Sequence, residues 1–109
     1  MEQSQEGPIF LTERDGKPLL VLQGAVDIFA AEQLHRLALS LAERGEDAVV
    51  DCEKAEQIGS AAFQILLTLK DGLRVKGSWL LLHGVSDAVM HQLHTAGLAG
   101  LLTPVETEI

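Results

Sequence analysis

Residues Val49 to Gly72 read VVDCEKAEQIGSAAFQILLTLKDG, and two structural periods meet inside them. The apolar run Ala48-Val49-Val50 predicts a buried strand that ends near Cys52. Glu53 to Gln57 reads as a polar connector. From Ala61 onward the apolar residues Ala62, Ile65, Leu66, Leu69 and Leu73 recur at helical spacing and share one face. Ser60 stands at the junction, where an N-cap hydroxyl accepts a bond from a free N–H of the first turn. The stretch therefore predicts a strand, a loop, and one hydroxyl presented at the positive end of a helix that Asp71-Gly72 closes.

Upstream, Ile9 to Glu13 and Lys17 to Gln23 are strand-like runs joined by Asp15-Gly16, a two-residue hairpin pair. Gly24-Ala25-Val26-Asp27 then turns the chain into a first helix. Asp27 is its expected N-cap, Ala31, Leu34, Ala38 and Leu41 its apolar stripe, and Gly45 its C-terminal stop. Downstream, Ser78 to Leu82 is an apolar strand carrying Trp79. Ser86 is placed to cap a third helix with Val89, Met90 and Leu93 facing inward, ending at Gly97. Leu98 to Leu102 is expected to pack back on the sheet. Residues 1–7 are expected to be a disordered leader, 8–103 one domain and 104–109 a tail. The order β-β-α-β-α-β-α implies a single α/β domain. Its sheet is mixed, of four to five strands, with right-handed crossovers and helices mainly on one face.

A chain of 109 residues suits one domain with a real core. Sixteen acidic residues against eight basic ones leave a formal charge of -8. Nucleic acid would repel such a surface, and so would an anionic membrane. The single cysteine, Cys52, cannot form an intramolecular disulfide. The N-terminal MEQSQEGP has no apolar signal region, and no apolar run approaches the roughly 20 residues that span a bilayer. A cytoplasmic protein without direct membrane insertion is expected.

Residues that could carry chemistry do not converge in the sequence. His91 and His94 lie at i and i+3 of the third helix without a further ligand in reach, so solvated histidines and no metal are expected. Cys52 ends a buried strand with no base or oxyanion donor identifiable, which suits a small core residue. Glu53 and Glu56 sit in the connector, and Gly59 stands alone where a phosphate loop needs several glycines. No catalytic residue and no cofactor is expected. Phe63 and Leu67 lie on a line beside the main apolar stripe. They are either a second buried stripe or an apolar contact surface for another protein.

The ordered set of motifs resembles the STAS domain, the module shared by sulfate transporters and bacterial anti-sigma-factor antagonists. The likeness spans about Ile9 to Leu102. Gly24-Ala25-Val26-Asp27-Ile28 is similar to the family's glycine–x–hydrophobic–Asp–hydrophobic opening of the first helix, and Val49-Val50-Asp51 to its third strand. Ile58-Gly59-Ser60-Ala61-Ala62-Phe63 falls where the family has a hydrophobic residue, Asp, a hydroxyl residue, a small residue, Gly and a hydrophobic residue. His83-Gly84-Val85-Ser86 with Leu93-His94-Thr95-Ala96-Gly97-Leu98 is similar to its C-terminal part. In anti-sigma-factor antagonists the hydroxyl residue is phosphorylated by a partner kinase, which releases the antagonist. The resemblance makes Ser60 the phosphoacceptor candidate, although Gly59 replaces the family's acid and Ala62 its glycine.

Two functions follow as expectations. One is a non-enzymatic regulatory module that binds a kinase-type anti-sigma partner and is switched at Ser60. The other is a constitutive subunit of a phospholipid-transport ATPase or of a chemotaxis or signalling assembly, without phosphorylation. Either way a protein partner is expected over Gly59, Ser60, Ala61, Phe63, Gln64 and Leu67, with Asp27 at the same end of the sheet, where loops after parallel strands emerge.

Overall fold

The computed structural model describes residues 8–97. The expected leader over residues 1–7, the packing of Leu98 to Leu102 and the tail over residues 104–109 lie outside the described residues. Strand β1 spans Ile9–Arg14 and β2 Lys17–Val26. They pair antiparallel across Asp15-Gly16, whose φ angles of 56° and 79° have the double left-handed geometry of a tight hairpin turn. Helix α1 (Ile28–Arg44), strand β3 (Ala48–Ile58), helix α2 (Ser60–Val75), strand β4 (Leu80–His83) and helix α3 (Asp87–Thr95) follow. The sheet order is β1-β2-β3-β4, with β2, β3 and β4 mutually parallel. The strand expected at Ala48 to Cys52 is thus interior, as its apolar run required.

The polar segment Glu53 to Gln57 is strand and not connector. Buried residues along β3 fall at 48, 50, 52, 55 and 58, so the alternation slips by one residue twice. The register with β2 shifts at the same places, between Val21 and Gln23 and between Gly24 and Ala25. Each shift leaves one extra residue on β3, and a bulge of this kind breaks the two-residue period that marks a strand in sequence. β2 runs on beside it, so Gly24-Ala25-Val26 is strand as well.

Leu20 and Leu22 of β2, Val50 and Cys52 of β3 and Leu80 of β4 face the helices. They join Leu34 and Leu41 of α1, Leu66 and Leu73 of α2, and Val89 and Leu93 of α3 in one core. Met90, expected to face inward, is exposed, because α3 has only nine residues and the pair Val89 and Leu93 fills its inner line. Helix α2 continues past Asp71-Gly72 to Val75. Leu73 is fully buried and completes the stripe Ala62, Leu66, Leu69, and that burial outweighs the roughly 1 kcal/mol an interior glycine costs a helix. β4 begins at Leu80, two residues later than expected. The Ser78 amide donates to Leu73 O at 2.8 Å and the Trp79 amide to Asp47 Oδ1 at 3.0 Å, so both are used in the loop.

The two ends of the sheet differ. At the end where the helices finish, side chains tie the loops together. Lys76 Nζ donates to Ala42 O at 2.6 Å, and Ser78 Oγ to Gly45 O at 2.6 Å, with Gly45 ending α1 at φ 65°. The opposite end carries both junctions that follow β2 and β3.

Candidate functional site: the paired helix tips

β2 and β3 end level with each other, Val26 beside Ile58, and each passes straight into its helix through one residue. Those residues are Asp27 and Gly59. The Gly59 amide donates to Val26 O at 2.8 Å, so the sheet ladder continues to the last residue before α2. Two helix N-termini therefore sit side by side at the carboxyl ends of parallel strands, the edge where such folds present their binding loops.

The two tips are capped differently. Asp27 Oδ1 accepts the amides of Phe29 at 3.0 Å and Ala30 at 3.2 Å, which satisfies two first-turn donors of α1. α2 has Gly59 at the cap position, with no side chain to accept. The expectation that Ser60 caps α2 is corrected. Gly59 is extended, with φ -73° and ψ 161°, because its amide is bound into the ladder, so Gly59 is the cap and the helix starts at Ser60 itself, one residue earlier than expected. Ser60 is the first helical residue and is exposed. Its hydroxyl is at the surface beside first-turn amides without a side-chain cap, in the positive field of a sixteen-residue helix.

The expected contact residues divide. Gln64 is exposed, and Gly59 and Ala61 are half-buried at the tip. Phe63, placed on the docking surface from sequence, is corrected to core: it is 2% exposed and packs in the main cluster. It shares that cluster with Ala62 and Leu66, and burying an aromatic ring stabilises far more than leaving it at the tip. Leu67 is half-buried against the same core, so it belongs mainly to the wide inner face.

The apolar residues that do stand at the tip are Ile28 and Phe29, 70% and 86% exposed. Sequence reasoning overlooked them as contacts. Their mark was legible: both fall off the inward stripe of α1 and occupy its first turn, where a large apolar side chain has no core to reach.

Between the tips lies a shallow notch of about 210 Å³ lined by Ala25, Val26, Asp27, Gln57, Ile58, Gly59 and Gln92. Gln92 Nε2 donates to Ile58 O at 3.2 Å and ties α3 to this end. The notch is smaller than the roughly 300–1,000 Å³ of small-molecule sites. Cys52 is fully buried, and burial, with the Asp51 charge adding, pushes its thiol up to about 12. A thiol held protonated is no nucleophile at neutral pH.

The family model described as "Mlab, STAS domain" matches residues 9–104. The chain belongs to the STAS domain family. Similar solved structures include the anti-sigma factor antagonist SpoIIAA in its unphosphorylated form. That match has 17% identity over 92% of this chain and 90% of that one, with a TM-score of 0.74. The phosphorylated form of SpoIIAA, from Bacillus, has the same identity over 92% and 94%, with a TM-score of 0.70. A sulfate transporter family protein from Wolinella succinogenes matches at 20% identity over 78% and 70%, with a TM-score of 0.65. At these identities the likeness is one of fold. No curated protein matches the chain. Among the described residues no helix is long and apolar enough to cross a membrane.

Proposed function

We propose that this protein is a non-enzymatic regulatory module that binds a protein partner through the paired tips of α1 and α2. The observation that carries the reading is the placement of the exposed Ser60 hydroxyl next to the tip of α1, where Ile28 and Phe29 expose their side chains. Apolar side chains held at a rigid helix end supply contact area at little ordering cost. A phosphate at Ser60 would sit by uncapped amides and add about -1.5 to -2 charge to that contact. The partner is a kinase-type anti-sigma factor, which uses ATP and phosphorylates Ser60, and the phosphate ends the complex. The module acts inside the cytoplasm.

A second reading is supported by Gly59 and Ala62, which stand where the family's antagonists have an acid and a glycine. In that reading the same tip docks permanently on a phospholipid-transport ATPase or a signalling assembly, and Ser60 is contact only. Incubation with ATP and the ATP-using protein encoded beside this chain, followed by mass spectrometry, separates the two. The switch reading expects one added phosphate on the parent chain and none on Ser60→Ala. An unmodified parent that stays bound supports the constitutive subunit.

A further inference from the structure

Asp51 and Glu53 lie far from His83 in the sequence, and the sheet brings the three together. Asp51 of β3 is the register partner of His83, the last residue of β4. Glu53 follows Asp51 by two residues, so all three side chains rise from the same patch of two adjacent strands. One ligand atom from each lies within 4.8 Å of the others, and His83 Nε2 is 3.5 Å from Glu53 Oε2. Asp51 Oδ1 accepts the Glu53 amide at 3.0 Å, which holds that carboxylate over the strand. Gly84, at φ 74°, has its missing side chain replaced by Glu53: a Cβ there would collide with Glu53 Cγ. A residue with a side chain at position 84 would push Glu53 away from His83. Among the described residues no lysine or arginine is ion-paired with Asp51 or Glu53.

We propose that Asp51, Glu53 and His83 form an exchangeable binding site for a zinc-class divalent cation on the side of the sheet away from the helix core. Zinc bound at about 2.0–2.2 Å in a tetrahedron sets its ligand atoms roughly 3.3–3.6 Å apart. His83 Nε2 and Glu53 Oε2, 3.5 Å apart, already stand at that spacing, and the ligand atoms of the trio all lie within 4.8 Å of one another. Two carboxylates balance the charge of the ion, and the imidazole selects zinc over magnesium and calcium, which take six or more oxygen ligands. The exposed fourth position holds water. His83 and Glu53 otherwise form only an exposed ion pair, of the kind that contributes at most about 1 kcal/mol.

Equilibrium dialysis of the full chain, without an affinity tag, against zinc chloride tests the site. One zinc per chain is expected. Glu53→Gln and His83→Ala should each weaken uptake by at least the roughly tenfold that losing even an outer-shell partner costs. His91→Ala should leave it unchanged, because the rival pair His91 and His94 lies on α3. Thermal melts without zinc should match for all four proteins. The proposal is overturned if the parent takes up no zinc, if His83→Ala binds as the parent does, or if magnesium is taken up equally well.

Discussion

Phe63→Ala is expected to cost about 3–5 kcal/mol of folding stability, the usual penalty for emptying an aromatic site in a core. Phe63 is 2% exposed, the largest side chain in the fully enclosed set, and touches the cluster that joins both principal helices to the sheet. A domain of this size holds only about 5–15 kcal/mol in total, so the variant should melt far below the parent or fail to accumulate. Whatever fraction folds should bind the partner as the parent does. Denaturant unfolding gives the first quantity and titration of the folded fraction the second. A variant as stable as the parent but unable to bind would return Phe63 to the surface.

Phe29→Ala should show the opposite pattern. Its ring is 86% exposed at the second position of α1 and no core depends on it. Stability should stay within about 0.5 kcal/mol of the parent, as for most surface changes. An exposed aromatic at the centre of a contact typically contributes 2 kcal/mol or more, so affinity for the partner should fall by about 30-fold. Calorimetric titration alongside a thermal melt checks both. If affinity is unchanged, the tip of α1 is outside the contact.

The contrast between these two phenylalanines shows where the sequence was legible. The stripe of α1 and the caps at Asp27 and Ser86 were plain, because each rests on local spacing or on one side chain reaching its own backbone. The interior position of β3 was plain too, from its apolar run. Glu53 to Gln57 was not, because two bulges replace the two-residue period with three-residue steps that resemble a polar loop. The α2 boundary was read one residue late because Ser60 suits a cap, whereas the deciding fact is a long-range bond from Gly59 to Val26. At the tip of α2, the exposed serine and glutamine were legible, and the burial of Phe63 was not. Periodicity places a residue beside a stripe, but how far the core extends around the helix depends on the neighbouring helix. The trio of Asp51, Glu53 and His83 lay beyond reach for the same reason, since His83 meets the others only through strand pairing.

The α2 tip, headed by Ser60, is the proposed contact. The deciding measurement is the affinity of the ATP-using partner for Ser60→Asp and Ser60→Ala beside the parent. Ser60 is exposed and heads the helix, where Asp is favourable to the dipole, so neither variant should lose its fold. Ser60→Ala should bind as the parent does. Ser60→Asp must bury a charge against the apolar contact and should bind at least about tenfold more weakly, a difference of roughly 1.4 kcal/mol. Equal affinity for Ser60→Asp and the parent would place the partner elsewhere on the molecule and contradict the account.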